Sequence, residues 1–270
     1  MPELPEVEIT RRGLLPDLVG HRVGDVCCRI KALRYPLPFA LGKKIGGQVL
    51  REIRRRGKYL LFQFDNGVLL LHLGMSGSVR VVGKSLAALK HDHVDISFGP
   101  KVLRLRDPRR FGALLWVTGD AGKHPLLSVL GIEPLEDDFT PQWLFDNTRG
   151  LKAAIKTVLM DSHRVVGIGN IYASESLFRA GIHPQCAAGK VSMQRMQRLA
   201  PAIKETLIAA LKAGGSSLRD FIHSDGSSGY FQLEAFVYGR EGEPCRVCSA
   251  KIKMIRQGQR ATFYCPRCQK

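Results

Sequence analysis

Four cysteines near the end of the chain carry the plainest chemical signal in the sequence. Cys245 and Cys248 stand two residues apart, sixteen residues follow, and Cys265 and Cys268 repeat the spacing. Two such knuckles present four thiolates to a tetrahedral zinc ion. The competing reading is two disulfides or a redox pair, which a reducing compartment disfavours. A shell of four protein thiolates leaves no open position for a reacting water, so the expected ion is structural. Cys27, Cys28 and Cys186 are scattered and are expected to be thiols.

Between the knuckles, Ile252 to Ile255 and Ala261 to Tyr264 have strand texture around Gln257-Gly258-Gln259. Lys251, Lys253, Arg256, Arg260, Arg267 and Lys270 supply positive charge with no intervening acid. A hairpin of this kind can lie along a phosphate backbone and release counterions, although a merely solvated basic face has the same composition. The whole chain shares the bias, with 41 Lys and Arg against 24 Asp and Glu and a formal net charge of +17. A polyanion or an acidic membrane surface is therefore the expected partner.

No apolar run approaches the roughly 20 residues that span a bilayer, and Met1 to Ile9 lacks a basic segment followed by an apolar one. A cytoplasmic monomer, associated with the nucleoid in a bacterium, is expected. His91 and His93 flank Asp92 without converging partners for a metal. They are read as packing or hydrogen-bonding residues without a catalytic role, and His91 is carried among the candidate DNA contacts.

The elements that must position these groups fall into an α+β, two-domain pattern. Pro5 suits a first helical turn, Glu6 and Glu8 complement the dipole, and Val7, Leu14, Leu15, Leu18 and Val19 keep helical spacing up to Gly20. From Val23 to Thr118 short apolar runs alternate with turn residues. Tyr59 to Phe64, Asp65-Asn66-Gly67 and Val68 to Leu73 read as one hairpin, and Val94 to Phe98, Gly99-Pro100 and Val102 to Leu105 as another. An N-terminal antiparallel β-sandwich with an N-terminal helix is expected over residues 1–130, and an interdomain connection over 131–150.

Helical periodicity then covers Leu151 to Met160, resumes at Ile171 to Ala180 after Gly167-Ile168-Gly169-Asn170, and returns within Ser192 to Ala213, where Pro201 begins or breaks a segment. The helical domain is expected over 151–236, with a helix-two-turn-helix unit, and the zinc-finger hairpin over 237–270. Ser217 to Tyr230, with Gly226 and Gly229, suits either a mobile cover or a plain surface loop.

Met1-Pro2-Glu3-Leu4-Pro5-Glu6-Val7-Glu8 on its own would be a proline-rich helix cap. It is accompanied, in order, by His72-Leu73-Gly74-Met75-Ser76-Gly77, Asp107-Pro108-Arg109-Arg110-Phe111-Gly112, Gly167-Ile168-Gly169-Asn170-Ile171-Tyr172 and the cysteine hairpin. Together these motifs, spread over essentially the whole chain, resemble the formamidopyrimidine-DNA glycosylases. Leu4 and the Arg-Arg-Phe loop resemble the oxidised-purine branch more than the endonuclease VIII branch.

The resemblance implies a bifunctional enzyme on damaged double-stranded DNA. It excises oxidised purines such as 8-oxoguanine and formamidopyrimidines through a Schiff base on Pro2, then cleaves the strand by β,δ-elimination. Pro2, freed of Met1, is the implied nucleophile. An α-amine with a pKa of about 8 offers more free base at neutrality than a lysine at about 10.4, and a helix start further disfavours its ammonium form.

Glu3 is the implied acid/base group, with Glu6 in support, and Lys58 the implied lysine near the lesion phosphate. Met75 and Phe111 match void-filling wedges and Arg109 the partner of the orphaned cytosine. Asn170, Arg260 and the helix-borne Lys156 match backbone contacts. Arg219 stands where some members have Lys and is left outside the catalytic set. Two other readings compete: a zinc-dependent DNA-binding module without catalysis, and an endonuclease VIII-like enzyme for oxidised pyrimidines.

Overall fold

The computed structural model describes residues 1–214 and 235–270. The chain forms two compact units, one built from Met1–Ser128 and one from 129–213 with 235–270.

In the first unit, α1 (Leu4–Leu18) is followed by β1 (Val26–Cys28), α2 (Leu41–Ile45), β2 (Glu52–Arg56), β3 (Tyr59–Phe64), β4 (Gly67–His72), β5 (Ser78–Gly83), β6 (Asp92–Phe98), β7 (Lys101–Arg106), β8 (Ala113–Val117) and α3 (Pro125–Ser128). The strands make two antiparallel four-stranded sheets, β1-β6-β7-β5 and β2-β3-β4-β8. Strict alternation turns Leu60, Phe62 and Phe64 inward from β3. They share one core with Leu69 and Leu71 of β4, Val94 and Ile96 of β6, and Leu103 and Leu105 of β7. Val7, Leu14 and Leu18 bury the helix stripe in that same core. The expected sandwich with an N-terminal helix is present.

The 65–66 hairpin differs in detail from expectation. Phe64 pairs with Gly67, so the loop is only Asp65-Asn66, and Gly67 is a strand residue. A Cβ on Gly67 would lie 2.6 Å from the Trp116 ring, which explains the glycine by packing rather than by turn geometry.

The second unit contains α4 (Pro141–Asp146), α5 (Ile155–Leu159), α6 (Asn170–Ala180), α7 (Met193–Lys212), β9 (Lys253–Gln257) and β10 (Arg260–Tyr264). Residues 131–150, expected as a connection, are part of this body. Phe139 and Leu144 are buried, α4 packs on α7, and Ile132 bridges Val165. Pro141 there opens α4, whose cap is Thr140 accepting from Trp143 N–H. Helix α5 is also shorter than the apolar periodicity of Leu151 to Met160 suggests, because Ala154 bridges Ala187 before it begins. Pro201 neither starts nor breaks α7. It lies on the exposed side, so water can satisfy the carbonyl left without its N–H.

Candidate functional site

Pro2 and Glu3 are buried at the start of α1. The Glu6 carboxylate accepts from Glu3 N–H at 2.8 Å, which fixes the entry of the chain into the helix. The course of α1 is set by β2. Arg11 Nη1 donates to Ile53 O at 3.1 Å, and one turn earlier Glu8 meets Arg55 Nε at 3.4 Å. Moving toward the start of the helix thus moves toward the end of β2. The start of α1, with Pro2 and Glu3, therefore lies toward the β2 end that leads into the two-residue turn Gly57-Lys58, whose Arg56–Tyr59 closure is part of the β2–β3 register. Gly57 takes φ 55°, as the first position of such a turn favours.

Glu8 sets this register electrostatically. Burial raises its carboxyl, yet hydrogen bonds from Arg11 and Arg12 and the charge of Arg55 outweigh burial and hold it at about 2.

Met75, Arg109 and Phe111 come together on two touching loops of the same unit. Gly74 adopts φ 66°, and a Cβ there would lie 2.5 Å from the Phe111 carbonyl carbon. Met75 is 39% and Phe111 47% exposed, and the Arg109 guanidinium lies 4.7 Å from the centre of the Phe111 ring. Met75 and Phe111 are thus large apolar side chains presented to the outside, which core residues are not.

His72 braces the first of the loops. Its Nδ1 accepts from Gly74 N–H at 3.0 Å and its ring packs on Tyr59 at 4.7 Å. Burial, reinforced by the charges of Lys58 and Arg34, pushes the imidazole down to about 4. The unfolded chain therefore takes up this proton first, so the stabilisation is complete above pH 6.5 and is lost as pH falls through about 4. After allowance for its partial exposure, the window should span about 2 kcal/mol. Thermal denaturation between pH 7 and 4 checks it, and a His72→Asn protein, which keeps an acceptor but cannot titrate, should show a flatter profile.

His91 takes φ 75° and its carbonyl accepts from Asp107 N–H at 3.1 Å. Desolvation first, then Lys90, Arg106, His93 and Arg110, lower its pKa. The surroundings of His91 are thus electropositive, as an anion contact requires. Among the described residues no metal-binding cluster includes His91 or His93.

In the second unit Gly169 caps α6 and Asn170 begins it. The Asn170 amide donates to Ala261 O at 3.0 Å and its oxygen accepts from Lys156 Nζ at 2.7 Å. Lys156 also donates to Thr262 Oγ1 at 2.7 Å and is 2% exposed. Expected as a helix-borne backbone contact, Lys156 ties α5, α6 and β10 together, projecting from the same buried side of α5 as Leu159. Arg260 is exposed beside Met160, its Nη1 3.9 Å from Sδ. Lys156, Met160, Gln257 and Arg260 line a groove of about 460 Å³.

The four cysteine sulfurs lie within 4.8 Å of one another, with Cys248 to Cys265 at 3.4 Å and Cys245 to Cys268 at 3.9 Å. Sulfurs at 2.3 Å from a tetrahedral zinc stand about 3.8 Å apart, whereas a disulfide needs about 2.05 Å. The donors fit one structural zinc, and the Ala250 N–H holds the Cys248 thiol down to about 7. The hairpin follows the expected pattern, with Gly258 at φ 59° in its two-residue turn. Lys251, Lys253, Arg256, Arg260, Arg267 and Lys270 are all exposed.

Glu175 escaped sequence reasoning. Fully buried in α6, its carboxylate accepts from the N–H groups of Phe236, Val237 and Tyr238 at 2.8 to 3.0 Å. These bonds fasten the chain entering the zinc element. Glu175→Ala should cost about 3 kcal/mol by leaving one buried and two part-buried donors without their acceptor. Urea denaturation checks the loss, and faster zinc release to a chromogenic chelator should accompany it. The Ser217 to Tyr230 cover and Arg219 lie outside the described residues.

Family models match in three segments: the formamidopyrimidine-DNA glycosylase N-terminal domain over residues 1–114, the H2TH domain of the same enzymes over 130–222, and a zinc finger found in FPG and IleRS over 242–270. A formamidopyrimidine-DNA glycosylase of Aromatoleum aromaticum is 56% identical over 270 residues, and one of Herminiimonas arsenicoxydans 55% over 273, each match covering both chains completely. Among solved structures, the MutM (Fpg) protein of Thermus thermophilus superposes with a TM-score of 0.89 at 37% identity, covering 99% of this chain and 98% of that one. A Lactococcus lactis Fpg mutant in complex with Fapy-dG-containing DNA superposes with 0.93 at 35% identity over all of both chains.

Proposed function

The chain belongs to the formamidopyrimidine-DNA glycosylase family, a DNA glycosylase with abasic-site lyase activity in the repair of oxidised purines, and on that premise we propose that Pro2 is its nucleophile. The carrying observation is the delivery of buried Pro2 and Glu3 by α1 toward the Gly57-Lys58 turn.

Once Met1 is removed, the secondary amine of Pro2 attacks sugar C1′ as the bond to the oxidised base breaks, and the base leaves with a proton. Glu3 donates a proton to the ring oxygen as the C1′–O4′ bond opens, which leaves a positively charged iminium between Pro2 and C1′. That cation draws electrons from C2′, so loss of a C2′ proton expels the 3′ phosphate. A second elimination expels the 5′ phosphate, and hydrolysis restores the amine. Lys58 faces the lesion phosphate, while Met75 and Phe111 fill the space left by the extruded nucleotide and Arg109 pairs with the orphaned cytosine. Arg260, Asn170 and His91 contact the phosphate backbone, and a monomer suffices for all of these roles.

Borohydride reduction during reaction with a duplex bearing 8-oxoguanine opposite cytosine tests the proposal. A covalent complex mapped to Pro2, absent with undamaged duplex, is expected. Failure of Met-processed, zinc-loaded protein to cross-link would overturn it, and trapping only by a thymine glycol duplex would move the substrate to oxidised pyrimidines.

A further inference from the structure

Asp107 is completely buried at the end of β7 and lies at the junction of the two loops that present Met75 and Phe111. Its Oδ1 accepts from Ser76 Oγ at 3.1 Å, next to Met75, and its Oδ2 accepts from Gly112 N–H at 2.8 Å, next to Phe111. The backbone of the same residue is held as well. Asp107 N–H donates to His91 O, Asp107 O accepts from Arg110 N–H at 3.2 Å, and it lies 2.9 Å from His93 Nε2. The loops also touch directly, since a Cβ on Gly74 would lie 2.5 Å from the Phe111 carbonyl carbon.

We propose that Asp107 is a positioning residue that locks the Met75 loop and the Arg109–Phe111 loop into one rigid insertion unit. The assignment rests on the void-filling reading of those three residues. A wedge acts on stacked bases only if its support does not yield, and two wedges on independent loops would each give way separately. One carboxylate shared between a hydroxyl of one loop and an N–H of the other makes insertion of Met75 and of Phe111 a single event. It is also a bond pattern that asparagine can reproduce, with its oxygen toward Gly112 N–H and its amide toward Ser76 Oγ.

The test combines single-turnover excision of 8-oxoguanine opposite cytosine with the fluorescence of 2-aminopurine placed beside the lesion, which reports base unstacking. Asp107→Ala should slow excision about 30-fold and Ser76→Ala about fivefold, both through the fluorescence step. Borohydride trapping on a preformed abasic duplex, which holds no base to turn out, should stay within about threefold in both. Asp107→Asn should recover most of the rate. Adding Met75→Ala to Asp107→Ala should slow excision no more than about twofold further, since the unit is already broken.

Full additivity in that double variant, or a normal unstacking step in Ser76→Ala, overturns the proposal, and the latter holds even if Asp107→Ala does not fold. Should Met75→Ala and Phe111→Ala themselves leave unstacking and excision unchanged, the void-filling reading is what fails, and the positioning role falls with it.

Discussion

Cys265→Ser should yield protein that retains no zinc and loses at least about 100-fold in affinity for lesion duplex, while its N-terminal sandwich stays folded. A structural zinc contributes on the order of 10 kcal/mol to a small module. The core around this one is too small to replace that contribution, consisting of Phe178, Val237, Cys245, Ile252 and Cys265 with a few half-buried neighbours. Serine offers a shorter, harder donor in place of a buried thiolate and leaves three cysteines to share the ion. Loss of the ion frees β9 and β10, and with them the exposed Arg256 and Arg260, from a fixed course.

Two measurements check the outcome: zinc content by mass spectrometry, and binding to an abasic duplex as a function of salt. The slope of log affinity against log salt should become shallower in proportion to the number of phosphates that the hairpin no longer neutralises. Far-ultraviolet dichroism should keep its strand signal, because Met1–Ser128 supplies none of the ligands. Zinc-free protein that binds with the original slope would show that the hairpin is not part of the DNA contact.

The features legible in the sequence are those that local spacing encodes. The cysteine knuckles, the alternation in β3 and the apolar stripe of α1 each depend on residues a few positions apart, and the sandwich and hairpin follow from them. Partnerships across long separations leave no such trace. Ser76 finds Asp107 over 31 positions, Glu175 finds Phe236 over 61, and Lys156 finds Thr262 over 106. A charged residue in a helix or loop carries no local sign that it will be buried, so the burial of Lys156 against Asn170 and Thr262 is not visible in the sequence. Prolines mislead in the same way. Pro201 has an interruption signature whose effect depends on which side of α7 meets water, and Pro141 marks a helix start within a stretch that has the texture of a connection.

Glu3→Gln should separate the two halves of the reaction. Glutamine keeps the shape and the backbone N–H that Glu6 accepts, so α1 should begin as before and stability should change little. What it loses is the proton that a carboxyl can deliver. Excision of 8-oxoguanine needs that proton when the sugar ring opens, and removing a general acid costs between about 10² and 10⁴ in rate. A preformed abasic site is a hemiacetal that opens to its aldehyde without the enzyme, so iminium formation with the amine of Pro2 can proceed through that open form without Glu3 protonating the ring oxygen. The variant should therefore excise 8-oxoguanine about 1,000-fold more slowly in single turnover, yet still give borohydride-trapped complex on abasic duplex. Equal loss in both assays would place Glu3 in support of the nucleophile itself. Unimpaired excision would remove Glu3 from the chemistry and leave Glu6, its hydrogen-bonded neighbour in the first turn, as the next carboxyl to replace.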